Sequence, residues 1–222
     1  MTCASQPNWA ALILAAGRSS RMGAQHKLLE DLNGKSVIRH VVDHVSASGF
    51  SSLLMVTGYR ADEVRAAAGP IETCYNPDYA SGMASSLTCG LAALPENCEG
   101  AVIVLGDMPF IRPAHYKAIL EAITAAPAAK ALVPVVKGEW AHPVAIRRSL
   151  FAPIMMVQGD KGARAVLKAH AEHVLCWPCD DQALLCDLDT PEALQQARQQ
   201  PLAQSDRSDT ADQNRRATPS DR

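Results

Sequence analysis

Opposite charges gather at the ends of two apolar runs in this chain. ALILAA (11–16) is followed by Gly17, Arg18, Ser19, Arg21, Gly23 and Lys27, and AVIVL (101–105) by Gly106 and Asp107. A glycine-containing loop after a strand offers backbone N–H groups to an anion, and Arg18, Arg21 and Lys27 add full charges. A triphosphate requires both. An aspartate that ends an otherwise apolar strand is placed to take a hard divalent cation such as Mg²⁺, which binds one or two carboxylates plus phosphate oxygens. It fits equally as the N-cap of a following helix. Asp187 and Asp189 lie two apart. On one strand they would share a face and tolerate each other best around a cation. Alternatively Asp189, or Thr190, caps a helix that opens at Pro191. Asn76, Ser85 and Ser86 flank another helix start, where small polar side chains either read the edge of a base or simply cap.

These residues need elements to position them. Strand-length apolar runs fall at 11–16, 52–58, 71–76, 101–107 and 131–136. Stretches with i, i+3/i+4 apolar spacing fall at 36–45, 83–94 and 113–123, which is the pattern of one-sided helices. Further on, 142–146 reads as a strand, 162–170 as a helix, 183–189 as a late strand and 191–198 as a terminal helix with proline at its first position. This alternation predicts an α/β fold with a parallel sheet, right-handed crossovers and helices on both faces. ILAA and VIVL are nearly all apolar, as strands covered on both sides are. In such sheets ligands sit beyond the carboxyl ends of the strands, where the charged loops fall.

The chain has 222 residues, 48% hydrophobic and 20% charged, with net charge −2. That allows one sizeable core and gives no electrostatic reason to expect binding to nucleic acid or an anionic membrane. No apolar run spans a bilayer and no secretory leader is visible at the N-terminus, so a cytoplasmic protein is expected. Seven cysteines, several in apolar stretches, read as reduced thiols rather than a disulfide framework. CWPC (176–179) lacks the second pair a zinc site needs. The expected organisation is a short segment 1–10, one domain over 11–200 and a tail over 201–222. The tail holds a single leucine and no aromatic or β-branched aliphatic residue, so it is expected to be disordered.

The opening loop is neither a P-loop nor a dinucleotide fingerprint, because its lysine lacks the flanking Gly and Ser/Thr and its glycine spacing is wrong. The loop resembles L-A-A-G-x-S-x-R-M-G-x-x-K of nucleotidyltransferases similar to molybdenum cofactor cytidylyltransferase, within the MobA-like superfamily. Leu14, Ala15, Ala16, Gly17, Ser19, Arg21, Met22 and Gly23 match, with Lys27 displaced by one residue. NPDYASGMASSLTCGL (76–91), VLGDMP (104–109), WAHPV (140–144), QGDKGAR (158–164) and DLDTPEAL (187–194) resemble further motifs of that family. The family more often carries glutamine where Met108 stands.

The resemblance implies a single Rossmann-like domain with a mixed, mostly parallel sheet. It also implies CMP transfer from CTP to the terminal phosphate of molybdopterin, with Mg²⁺ on Asp107 and on Asp189 or Asp187. Leu14 to Ser19, Arg21, Gly23 and Lys27 would hold the triphosphate. Asn76, Ser85 and Ser86 would lie against the base and ribose. Ala15 and Ala16 would crowd out a purine, a difference of about 1–3 kcal/mol for one methylene-sized change. His142, Asp160 and Arg164 would face the acceptor. Arg164 suits bidentate pairing with a phosphate, although Asp160 and Arg164 also fit a helical i, i+4 pair. A molybdenum hydroxylase or its maturation chaperone would receive the product. GTP in place of CTP, or a sugar phosphate as acceptor, is the alternative within the superfamily. A non-enzymatic receiver-type module fits poorly, because such a domain needs acidic residues where Gly17, Arg18 and Arg21 stand.

Overall fold

The apolar runs assemble into one eight-stranded sheet with helices on both faces. The computed structural model describes residues 8–19, 26–157 and 163–199. In chain order these form β1 (Trp9–Ala15), the hairpin β2 (Asp31–Leu32) and β3 (Lys35–Ser36), α1 (Val37–Ser46), β4 (Ser52–Thr57), α2 (Ala61–Ala68), β5 (Glu72–Tyr75), α3 (Met83–Ala93), β6 (Gly100–Leu105) and α4 (Pro113–Ala125). There follow β7 (Ala131–Val136), β8 (Glu139–Trp140), β9 (Val144–Arg147), α5 (Phe151–Met155), α6 (Arg164–Ala169), β10 (Val174–Pro178) and α7 (Pro191–Gln199).

The strand order is β10-β7-β9-β6-β1-β4-β5, with β8 added beside β7. β6, β1, β4 and β5 are mutually parallel, as are β7 and β10. β9 runs antiparallel to both β6 and β7, so the sheet is mixed. From β1 the chain builds outward through β4 to β5, then returns to place β6 on the other side of β1. The sheet order therefore reverses beside β1, and in open α/β sheets such a reversal opens a crevice at the carboxyl ends.

Period-two alternation divides β1 between two cores. Trp9, Ala11, Ile13 and Ala15 pack with α1, α4 and α7, whereas Ala10, Leu12 and Ala16 pack with α3, α5 and α6. Ser36 caps α1, its hydroxyl accepting from the Arg39 N–H at 3.3 Å. Val37, Ile38, Val41, Val42 and Val45 form the buried stripe of that helix. Gly90, inside α3, lets the helix settle onto the sheet. A Cβ there would stand 2.5 Å from Leu12 Cδ1 and 2.7 Å from Val56 Cγ2.

One expectation fails at the late edge of the sheet, and one strand stands there that the sequence pattern does not predict. Residues 183–189 form no strand: Gln182–Leu185 is a 3-10 turn whose preceding Asp181 accepts from the Ala183 N–H at 2.9 Å. The strand in this region is β10, which follows α6 after a 3-10 turn at Ala171–His173 and holds most of the CWPC stretch noted only for its thiols. Leu184 and Leu188 are buried singly along an irregular path, so the apolar character of this stretch reflects two anchor points and not a ladder. The proposed tail, 201–222, and residues 1–7 lie outside the described residues.

Three histidines are held below the ordinary value of 6.5, each chiefly by burial. Arg60 adds to the effect at His26, His40 at His44 and Arg164 at His142. The unfolded chain therefore binds more protons than the native one once the pH drops below 6.5. Their contribution is fully present above that pH and is lost as the pH falls through the depressed native values. The melting temperature should decline by several degrees between about pH 7.5 and pH 5.5. A flat profile over that interval would show that these imidazoles protonate in place.

Candidate active site

The carboxyl ends of β1 and β6 lie at the reversal of sheet order, and both charged loops start there. Gly106 brings them together. Its N–H donates to Leu14 O at 3.0 Å, and a Cβ at this position would press on that same oxygen and on Ile38. Asp107 follows at once. Its backbone carbonyl accepts from the Leu188 N–H at 3.0 Å, which draws the C-terminal segment to the same edge. Thr190 Oγ1 caps α7 by accepting from the Ala193 N–H at 3.2 Å. The cap is thus threonine, while Asp189 faces the site.

Lys27 joins the two acidic segments, its Nζ donating to Asp107 Oδ2 and to Asp189 Oδ1. Burial works against the ammonium, the two carboxylates outweigh it, and the lysine pKa lies above its usual value. Asp187 is exposed and takes no part in this contact. Its carboxyl is raised above the usual carboxylate range by desolvation first, then by the like charges of Asp189 and Asp107. With no strand at 183–189, the shared-face argument for Asp187 and Asp189 lapses. Among the described residues no group of three or more His, Cys, Asp or Glu side chains is arranged to hold a metal, and Lys27 bridges the two carboxylates Asp107 and Asp189.

His26 directly precedes Lys27 and is buried. Its ring stacks on Tyr59, 5.6 Å between centroids and 11° from parallel. Lys27 then starts a 3-10 turn and its backbone N–H donates to Ser19 Oγ at 3.3 Å, so the displaced lysine still reaches the site.

A cleft of about 380 Å³ opens beside these groups, lined by Leu14, Ala15, Ala16, Gly17, Arg18, Lys27, Tyr79, Ser86 and Asp107, among others. A Cβ on Gly17 would meet no protein atom within 4 Å, so the space above this backbone is clear for a ligand. Arg18 extends over the Tyr79 ring, 5.4 Å from its centroid. Tyr79 had no role in the sequence reading, although NPDY contained it. Ala15 and Ala16 both border the cleft, but their methyls part. That of Ala15 belongs to the α1-side core, and that of Ala16 to the side of Tyr79.

The base-reading trio divides. Asn76 is buried, and its amide is consumed within the protein. Nδ2 donates to Ser85 Oγ and Ser86 Oγ, both at 3.0 Å, and Oδ1 accepts from the Asp78 N–H at 2.9 Å. Ser85 in turn bonds the carbonyls of Asp78 and Gly82, the capping alternative. Only Ser86 of the three borders the cleft. Asn76 and Ser85 border a separate hollow of about 550 Å³.

His142 precedes β9, and its backbone N–H donates to Leu184 O at 3.1 Å. Its ring feels both Asp107 and Arg164 electrostatically. Arg164, at the start of α6, lies over Trp140 at 5.6 Å. Of the expected acceptor residues, His142 senses the charge of Asp107, and Arg164 is exposed and lies over Trp140. Met108 is a core residue, 3% exposed, which explains an apolar side chain there. Arg21, Gly23 and Asp160 lie outside the described residues. The six described cysteines, including Cys176 and Cys179, are free thiols. No helix among the described residues is long and apolar enough to cross a membrane.

A glycine-containing loop and two carboxylates meet at a sheet reversal, the place where open α/β sheets take ligands and an arrangement that agrees with a nucleotidyltransferase domain. The chain belongs to the MobA-like NTP transferase domain family, which its residues 11–180 match. The crystal structure of Rv0371c from Mycobacterium tuberculosis H37Rv superposes with a TM-score of 0.77 at 27% identity, covering 88% of this chain and 100% of that one. A manganese complex of the same mycobacterial protein gives 0.74 at 26% identity over 86% of this chain and 98% of that one. The bifunctional protein GlmU of Staphylococcus saprophyticus is 33% identical over 112 residues, 50% of this chain and 25% of that protein. The chain thus spans about a quarter of the length of the curated relatives it matches.

Proposed function

We propose that this chain transfers CMP from CTP to the terminal phosphate of a molybdopterin-type acceptor. An acceptor phosphate oxygen attacks the α-phosphorus, the bond from that phosphorus to the bridging oxygen of the β-phosphate breaks, and pyrophosphate leaves. The carrying observation is the meeting of the anion loop, Lys27, Asp107 and Asp189 at the edge of one open cleft. The attacking phosphate is already ionised, so no general base is required. Positioning and charge neutralisation carry the rate.

The backbone from Ala15 to Ser19 cradles the triphosphate, and Arg18 and Lys27 neutralise it; Arg21 and Gly23 extend the same role. Ser86 and Tyr79 border the place of the nucleoside, and Asn76 and Ser85 brace that wall. His142 and Arg164, with Asp160, bind the acceptor phosphate. Asp107 and Asp189 fit a divalent cation, Mg²⁺ in this reading, because two hard oxygen ligands already converge on one positive centre. Manganese in the mycobacterial relative supports a divalent ion. That ion would neutralise charge on the phosphate oxygens. A molybdenum hydroxylase or its maturation chaperone would take the product.

The test is pyrophosphate release with CTP, GTP, ATP and UTP, with and without a molybdopterin acceptor. CTP with the pterin should dominate. Turnover with a sugar phosphate alone would replace the acceptor, and equal use of GTP would replace the base. Since only the Ala16 methyl turns toward the Tyr79 side, Ala16→Gly should erode the preference for CTP over GTP by roughly 10-fold. Ala15→Gly should erode it less. Equal effects of the two would refute this assignment of the methyls.

A further inference from the structure

The position expected for the metal is filled by a side chain of the protein itself. Lys27 Nζ lies against a carboxylate oxygen of Asp107 and one of Asp189 at once. Their side chains are 17%, 14% and 28% exposed, so water screens the contact only in part. Among the described residues Lys27 is the one cation paired with Asp107. An ammonium that donates to both carboxylates takes up the oxygen lone pairs a divalent ion would use, and the two positive centres repel each other. Both cannot sit between Asp107 and Asp189.

The lysine is also built to leave. Its backbone is fixed, by the N–H bond to Ser19 Oγ and by His26 stacked on Tyr59. Its side chain is a flexible four-carbon stem ending in a compact charge. Lys27 lines the same cleft as Gly17 and Arg18, so an anion bound there lies within the sweep of that stem.

We propose that Lys27 is an internal counter-ion that occupies the cation position between Asp107 and Asp189 and must be displaced before a divalent ion binds. The inference rests on the metal reading given above and adds a gate to it. A bare metal ion meets two carboxylates whose charge the Lys27 ammonium already half neutralises. A triphosphate in the cleft offers Lys27 a second set of anionic oxygens, draws it from the carboxylates and opens the site. Metal and nucleotide are thereby coupled through one side chain, and the coupling is reciprocal.

The test uses Mn²⁺ alone, without nucleotide, on the full chain. Free Mn²⁺ is followed by electron paramagnetic resonance and binding by calorimetry, with melting curves to confirm folding. Lys27→Met should bind Mn²⁺ at least about tenfold more tightly than wild type, a typical coupling magnitude. Lys27→Arg keeps the charge and should stay as weak as wild type. Lys27→Gln serves as a second neutral variant if the methionine protein does not fold. Adding Asp107→Asn to either neutral variant should abolish the gain. Equal or weaker Mn²⁺ affinity in both neutral variants, with binding still dependent on Asp107, would overturn the gate and leave the metal site standing. No Mn²⁺ binding in any neutral variant would overturn the gate and the two-carboxylate metal site together.

Discussion

Replacing Asp107 by alanine should reduce turnover by about a thousandfold or more while leaving the fold in place, because several kcal/mol of transition-state charge stabilisation rest on a metal-binding group of this kind. The loop that carries Asp107 is held by backbone contacts the substitution does not touch: Gly106 N–H to Leu14 O, and Leu188 N–H to Asp107 O. Lys27 loses one partner and keeps Asp189, so no charge is left without a counterpart. The melting temperature should therefore move by only a few degrees. Raising Mg²⁺ should not restore the rate of Asp107→Ala, whereas Asp107→Asn, which keeps the shape and one oxygen, should recover a small part of it. The measurement is turnover across a Mg²⁺ titration beside a melting curve. Near-normal turnover of the alanine protein at every metal concentration would remove Asp107 from the chemistry. A collapse in melting temperature would make it a structural residue.

The second large effect belongs to packing. Gly90→Val puts branched carbons where even one Cβ would come within 2.5 Å of Leu12 and 2.7 Å of Val56. Overpacking of this sort costs about 1–3 kcal/mol. The helix-propensity gain over glycine returns only part of that. A net loss of about 2 kcal/mol should lower the melting temperature by roughly 5 °C in a domain of this size. The effect should also reach the site. α3 carries Ser86, and its first residue is preceded by Gly82, both on the cleft wall. A helix pushed off β1 and β4 takes that wall with it, so KM for the nucleotide should rise more than kcat falls. An unchanged melting curve would mean the α3–sheet seam is looser than its contacts indicate.

Much of this architecture is legible in the sequence because the relevant signals are local. ALVPVV announces a strand and becomes β7 over those same residues. SVIRHVVDHV has the spacing of a one-sided helix and becomes α1, with its first serine as the cap. Asp107 is legible because a polar residue after a run of four apolar ones must stand at a strand end. The misreadings come from long-range partners. β10 is an edge strand paired only with β7, so half of its residues face outward and its pattern is weak. ALLCDLD has the composition of a strand, yet nothing pairs with it as a ladder. Asn76 shows a polar amide in the sequence but not that Ser85, Ser86 and Asp78 have already claimed it. Nor does the spacing of a loop reveal that its lysine ends between two distant aspartates.

β9 enters the sheet against the direction of its neighbours. An antiparallel strand begins where parallel strands end, so His142, just before β9, arrives at the carboxyl edge without a crossover helix. The edge thus draws on three stretches of chain, one ending at Asp107, one opening at His142 and one carrying Asp189. The described cleft is lined by residues from Leu14 to Asp107, whereas Trp140, His142 and Arg164 belong to the later stretch. Under the proposed function, this is a modular inheritance: a descendant gene could exchange its acceptor by rewriting the later stretch while the triphosphate machinery passed on unaltered. Under that same reading, one reversed strand would separate what the enzyme does from what it does it to.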